Sequence, residues 1–386
     1  WGDTVSESFA LIYSRRFSEY SYGECHPFKV DRYRLCYEML GECRLLAHER
    51  VRQVECPRVD EELLFDFHRR DYIETLKQFS ADDQQRANFF YGLGDVENPV
   101  FKGLYDWALL MCGGSVEAVR QVMDEGCRAA FSMAGGWHHA HCARAAGFSY
   151  VNDAVIAIHQ LLRRGLRVVY VDIDAHHGDG VQEAFYATDR VMTISIHENG
   201  KDFFPYSGFV DELGSGAGYG YSINVPLAPH SDDLIFEQAC RRVVQPLLEA
   251  FKPDVLVTQM GADPLRTDPL TRLEYTTAFM EYAARLFLGC GVPWVALGGG
   301  GYDRLNVARA WTLLWSTMTG LAVEDELSAA MQEIIRRGGD ECRYLRDAPH
   351  LSSPDDFARA EQALEKSVSF LERQVFPLHG LSVARV

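Results

Sequence analysis

Hydrophobic residues from about position 129 onward fall into short unbroken runs rather than an alternating pattern. The runs are Ala129–Met133, Val168–Ile173, Val191–Ile196, Val255–Met260 and Trp294–Leu297. Short runs rich in Val and Ile, without alternation, suit parallel strands that are covered on both faces. Helical periodicity fills the gaps between them. Asn152–Arg164 stops at Gly165, Asp232–Phe251 stops before Pro253, and Thr271–Leu288 stops at Gly289. Gly and Pro at those points are ordinary helix punctuation. Strands alternating with helices predict an α/β fold: a central parallel sheet with helices on both faces. Roughly the first 110 residues are mixed, with helical patterns over Tyr33–Glu49 and Glu61–Phe79. A helical extension is expected over about 325–386. No Pro/Gly/Ser-rich linker interrupts the chain, so residues 1–386 read as a single domain.

A parallel sheet says where to look for chemistry, because ligands of open α/β sheets bind beyond the carboxyl ends of the strands. The first run is followed by Gly135-Gly136-Trp137-His138-His139. The second runs into Asp172-Ile173-Asp174-Ala175-His176-His177-Gly178-Asp179. The fourth is followed by Gly261-Ala262-Asp263-Pro264, and the fifth by Gly298-Gly299-Gly300-Gly301-Tyr302. If the strands are parallel, these four segments converge on one rim.

Asp174 and His176 are two residues apart at a strand end, so their side chains point the same way. Asp263, from another strand end, completes a set of three candidate metal ligands. Two carboxylates and an imidazole leave a coordination position open, as catalytic sites do. Zinc is the first choice; Fe(II), Co(II) and Mn(II) suit the same oxygen-rich set. The bland alternative is that Asp174 and His176 merely cap the following helix. His138 and His139 form an adjacent pair, and Asp172 and Asp179 are placed to orient one imidazole each through Nδ1–H. The expected chemistry is amide hydrolysis. The metal polarises a carbonyl and acidifies a water, and the histidines exchange protons with that water and the leaving amine. Tyr302, after four glycines, can swing its phenol to the carbonyl oxygen as an oxyanion donor. The alternative there is a phosphate-binding glycine loop, which the absence of a Lys and the presence of Tyr302 disfavour.

Charge and cysteine content narrow the setting. Lys and Arg number 38 against 55 Asp and Glu, a formal charge of −17. So acidic a chain lacks the basic footprint that nucleic-acid binding needs, and it repels anionic membranes. No apolar run approaches the ~18–20 residues of a membrane span. The ten cysteines are scattered without a C-x-x-C pair. They read as reduced thiols, and the opening residues, from Trp1, show no secretory signal; the expected location is cytoplasmic.

Taken together, these motifs resemble the histone deacetylase superfamily, with bacterial histone-deacetylase-like and acetoin-utilisation deacetylases the most similar. Earlier segments add to the resemblance: His26-Pro27-Phe28-Lys29, Phe67-His68-Arg69-Arg70-Asp71-Tyr72 and Gly94-Asp95-Val96-Glu97-Asn98-Pro99. The similarity spans about residues 22–319. It implies an arginase/deacetylase-like fold and a zinc-dependent amidohydrolase. It also implies a metal set of Asp174, His176 and Asp263, tandem histidines His138 and His139 with partners Asp172 and Asp179, and a carbonyl-polarising Tyr302. By the same resemblance, Gly147, Phe148 and Phe204 match the walls of a narrow acyl-lysine tunnel and Leu270 an apolar rim residue. Arg32 matches an arginine in an internal channel beneath the metal. Two K⁺ sites are implied. One lies around Asp172, Asp174, His176, Ser195 and Ile196. The other lies around Phe185, Thr188, Val191 and Tyr221. Glu97 is a departure: many relatives carry Asp there to accept hydrogen bonds from the substrate backbone, and the extra methylene moves the carboxylate.

The expected substrate is an acylated lysine side chain of a protein or peptide, an uncharged slim stem with an amide at its tip. An acetylpolyamine or other small N-acyl amine is the alternative on the same site, and apolar Leu270 counts against it. A dinuclear-manganese ureohydrolase would need further bridging carboxylates. A non-catalytic acyl-lysine reader would usually lack a ligand or the tyrosine. The sequence leaves oligomeric state open.

Overall fold

The computed structural model describes residues 7–82, 84 and 86–382. The outermost ends of the expected domain, 1–6 and 383–386, lie outside the described residues. Eight strands form one sheet: β1 (Phe9–Tyr13), β2 (Val51–Glu55), β3 (Ala129–Ser132), β4 (Val168–Asp172), β5 (Val191–Glu198), β6 (Ser222–Leu227), β7 (Val255–Gln259) and β8 (Trp294–Leu297). Their order is β2-β1-β3-β8-β7-β4-β5-β6, and every pairing is parallel. Helices cover both faces, so the protein is a single α/β domain of the expected class.

Adjacent residues of β3 show the two faces. Phe131 meets Trp311 edge-on at 5.7 Å, on the helix Arg304–Thr319. Ser132 points the opposite way, against Gly114 of the helix Leu104–Met123. That second face is shared with the helix Asp153–Arg163, while Asp31–Glu42 and Ala278–Gly289 flank Arg304–Thr319 on the first. β1, β3, β4, β7 and β8 are buried along their whole length, which is why the inner strands carry continuous apolar runs.

The five strands expected from the sequence are present, within one or two residues at each end. β1, β2 and β6 were not expected. β2 reads Val-Arg-Gln-Val-Glu because it is an edge strand and largely exposed, and charged edges resist pairing with another chain. β6, at the other edge, contains Pro226, which argues against a strand on pattern alone. Several helices are shorter than their periodicity. Thr271–Leu288 starts at Ala278 because Thr271 Oγ1 donates to the Asp263 carbonyl (2.6 Å) and Arg272 N–H to Glu198 (2.9 Å), holding 271–277 as a loop. Tyr33–Glu49 ends at Glu42, before Arg44 in the left-handed region (φ 58°). Glu61–Phe79 breaks at His68, whose Nε2 accepts the Asn152 N–H at 2.9 Å. Asp232–Phe251 is continuous from Asp233, with a π-turn at Cys240–Val244.

The C-terminal extension contributes Ala329–Arg337 and Pro354–Gln374, and the latter packs against edge strand β6. Among the described residues, no helix is long and apolar enough to cross a membrane.

Candidate active site

The four central strands, β3, β8, β7 and β4, carry the four segments singled out from the sequence, and they meet at the carboxyl rim. Asp172 ends β4, and the chain then turns on its own carboxylates. Asp174 N–H donates to Asp172 Oδ1 (3.1 Å), and His176 N–H to Asp174 Oδ1 (2.9 Å). Such side-chain-to-backbone turns stop a strand and fix the direction of the next side chains. The Asp263 carboxylate reaches across from beyond β7 and accepts the Ala175 N–H at 3.0 Å.

Asp174, His176 and Asp263 are fully buried, and one ligating atom from each lies within 4.8 Å of the others. His176 Nδ1 stands 2.9 Å from Asp263 Oδ2 and 3.1 Å from Asp174 Oδ1. This is the only such group among the described residues. Burial pushes the His176 imidazole down, but the two carboxylates carry it up to about 10. Burial and Asp174 push Asp263 up to about 8. The cluster therefore demands positive charge at its centre, which a divalent cation supplies while leaving the imidazole neutral. The backbone closes tightly on these carboxylates: a Cβ at Gly300 would collide with Asp263 Oδ2 and Asp174 Oδ2. The residues present fit a metal ion.

The tandem histidines lie beside the cluster with the partners expected. His138 Nδ1 is 2.8 Å from Asp172 Oδ2, and His139 Nδ1 is 2.7 Å from Asp179 Oδ1. The two rings face each other, Nε2 to Nε2, at 2.9 Å. Burial pushes His138 down, yet Asp172 and then Asp174 raise it to about 9. Burial and the neighbouring His138 lower His139 to about 4. His138 is thus the protonated member of the pair and His139 the neutral one, with His138 Nε2–H directed at His139 Nε2.

Tyr302 sits half-buried with its N–H on Asp268 Oδ2 at 2.7 Å and its ring 5.5 Å from that of Phe148. Burial, then Asp263 and Asp174, hold its phenol well above 10, so it remains a donor. Gly299, at φ 143°, allows the turn that brings the tyrosine here. Phe204 lies 5.0 Å from His139, ring to ring, and Phe148 adopts a left-handed φ of 66° next to Gly147. Leu270 is partly exposed on the neighbouring loop. Arg32 is buried, donating to the carbonyls of Gly301 (2.9 Å) and Gly299 (2.8 Å). A narrow cavity of about 20 Å³ is lined by Arg32, Trp137, His139, Phe148, Gly300 and Tyr302, among others.

Glu97 is placed differently from a free rim carboxylate. Its Oε1 accepts the Gly147 N–H at 3.0 Å, so it ties its own loop to the channel wall. The residues named for K⁺ fall into two places. Ser195 pairs in register with Asp172, next to Ile196. Phe185, Thr188, Val191 and Tyr221 gather at the other end of the sheet, where β5 and β6 begin.

Four supporting residues were not singled out in the sequence. Tyr170 donates to Asp172 Oδ2 (2.7 Å), and Gln259 Nε2 donates to Asp174 Oδ2 (2.5 Å). Asp153 accepts the N–H groups of Gly136 (2.9 Å) and Trp137 (2.8 Å), fixing the turn before the histidines. Phe203 stacks on His176 at 4.7 Å and 18°. Tyr170 was legible, two residues before Asp172 on the same strand face. Gln259 was legible too, as a polar residue closing an apolar run. Asp153 reads as ordinary first-turn acid, and Phe203 as one aromatic among several.

Residues 26–318 match the family model described as histone deacetylase domain. Histone deacetylase B of Dictyostelium discoideum is 39% identical over 327 residues, covering 84% of this chain and 77% of its own length. Acetoin utilization protein AcuC of Bacillus subtilis (strain 168) is 39% identical over 320 residues, covering 81% and 82% respectively. The crystal structure of an HDAC homolog from Aquifex aeolicus superposes with a TM-score of 0.84 at 31% identity, over 94% of this chain and 100% of that one. An HDAC homolog complexed with SAHA superposes with a TM-score of 0.83 at 32% identity. The chain belongs to the histone deacetylase family. It is a hydrolase of the deacetylase type; the family is generally metal-dependent, and the buried Asp–His–Asp cluster is a group that could hold a metal ion.

Proposed function

We propose that this protein removes acetyl or related acyl groups from lysine side chains of proteins, with Zn²⁺ as the resident ion and Fe²⁺ or Co²⁺ able to replace it. The observation that carries this reading is the meeting, at one end of an aromatic-walled cavity, of a buried Asp–His–Asp cluster, two carboxylate-paired histidines and a tyrosine. Asp174, His176 and Asp263 would hold a divalent ion, which would supply Lewis acidity toward the amide carbonyl and the attacking water. Phe148 and Phe204 flank the uncharged lysine stem, Gly147 lets the wall approach closely, and Leu270 meets the substrate at the rim. Tyr302 donates its phenolic hydrogen to the carbonyl oxygen as negative charge grows there. His138 Nε2 and His139 Nε2 lie 2.9 Å apart, within reach of one proton. As a pair they take one from the attacking water and give one to the amine nitrogen when the C–N bond breaks. Asp172 and Asp179 fix the tautomers. Arg32 lines the interior beyond the site, where the acetate product leaves. That an HDAC homolog binds SAHA, which mimics an acyl-lysine, supports the substrate class.

K⁺ is proposed at both the Asp172–Ile196 and Phe185–Tyr221 positions. The ten cysteines are all unpaired, which supports a reducing, cytoplasmic location. A screen of the purified protein against acyl-lysine peptides and acetylated polyamines, with metal analysis of the same sample, tests the reading. Peptides should be the better substrates; a clear preference for acetylpolyamines would replace it with the small-molecule alternative.

Two variants probe the roles. His139→Ala should lower turnover by more than ~10²-fold, the contribution of a positioned acid–base group, with metal content unchanged. Loss of the metal instead would show that His139 is a ligand. Gly300→Ala should push on both carboxylates and weaken metal affinity about 10–100-fold, as changes around a ligand set do. Isothermal titration of the metal-stripped protein measures it.

A further inference from the structure

We propose that His141 is a positioning residue of the reaction: it grips Asp179 from the solvent side and so holds His139 in line. The inference rests on the role given above to the His139–Asp179 pair. Asp179 and Glu183 are four residues apart on the helix Asp179–Phe185, so their carboxylates share one face. One imidazole bridges them. His141 Nε2 lies 3.4 Å from Asp179 Oδ2, and His141 Nδ1 contacts Glu183 Oε2. The other Asp179 oxygen, Oδ1, is taken by His139 Nδ1 and by the Gly180 N–H at 3.0 Å.

The bridge stands on fixed ground. His141 N–H donates to the Arg144 carbonyl at 2.9 Å. The preceding carbonyls of His138 and Ala140 accept from Asn152 Nδ2 at 3.2 and 3.0 Å. The His138 carbonyl also accepts the Gly180 N–H at 3.0 Å, stitching this loop to the helix that carries Asp179. Asp179 and Glu183 raise His141 to about 10 against the effect of burial, so both ring nitrogens carry hydrogens at neutral pH. The imidazolium therefore donates to Glu183 and stands as an ion-pair partner beside Asp179 Oδ2. Without it, Asp179 Oδ2 faces water, the carboxylate is free to turn, and His139 loses its fixed Nδ1 acceptor. The consequence falls on proton transfer rather than on substrate binding.

The test compares His141→Ala, His141→Lys and Glu183→Gln in the metal-loaded protein, beside His139→Ala. His141→Ala should lower kcat by about 10-fold or more, in the range of outer-shell losses, with KM within about two-fold. Metal content and thermal midpoint should stay unchanged. His141→Lys, which restores a cation beside Asp179, should recover most of kcat, and Glu183→Gln should cost less than His141→Ala. A readout independent of activity is the downfield His139 Nδ1–H proton resonance, which should exchange faster with solvent in His141→Ala and not in Glu183→Gln. Near-normal kcat together with an unmoved resonance in His141→Ala would overturn the inference while His139→Ala remains inactive. An active His139→Ala would instead overturn the functional reading beneath it.

Discussion

Asp263→Asn should leave a folded protein that has lost its metal and its activity together. The substitution keeps the size of the side chain and an oxygen to accept the Ala175 N–H. It removes one of the two buried carboxylates of the cluster, and with it the charge that carboxylate would offer a cation. Burial and Asp174 already hold Asp263 up at about 8, so a neutral amide is the less costly occupant when no ion is bound. The metal-stripped variant should accordingly melt no lower than the metal-stripped parent. Metal affinity should fall by more than the ~10–100-fold governed by outer-shell partners, because a ligand itself is lost. Turnover should drop to background. Elemental analysis, calorimetric titration and melting curves on the same preparations check all three. A variant that retained both metal and turnover would remove Asp263 from the ligand set.

Tyr302→Phe carries the second large effect. The change deletes one hydroxyl and little volume, and the backbone anchor to Asp268 survives. Fold and metal content should be unchanged. The phenol is held protonated by burial, Asp263 and Asp174, so it is a donor at every working pH. Removing one oxyanion donor typically costs ~10²–10³ in rate, about 3–4 kcal/mol. The loss should appear in kcat more than in KM, because the bond strengthens as charge develops. Hydroxamate affinity should fall less than turnover. Near-normal turnover in this variant would mean that the carbonyl needs no second polarising group, and would leave the turn at Gly299 without a catalytic purpose.

The site was more legible in the sequence than the sheet that carries it. Chemistry at a strand end shows as polar residues interrupting an apolar run, so Asp172–Asp179, His138–His139, Asp263 and Tyr302 stood out. They came together because the strands are parallel and β3, β8, β7 and β4 are neighbours. That adjacency is a tertiary fact, and no local pattern encodes it. The edges of the sheet were hidden for the opposite reason. β2 is too polar, as suits an exposed edge, and β6 contains a proline although it is buried beneath the helix Pro354–Gln374. Glu97 shows another limit. Its position was expected, but its bond to Gly147 N–H depends on a loop closing from fifty residues away. His141 was passed over because one more histidine after a pair carries no signal until the Asp179–Glu183 face is seen opposite it.

The most direct measurement is a titration of metal-stripped protein with Zn²⁺ while acetate release from an acetyl-lysine peptide is followed. The account predicts no release without metal, and a linear rise that breaks at one equivalent per chain. A break at two equivalents, full activity before any metal is added, or a metal-loaded protein that leaves the peptide intact would contradict it.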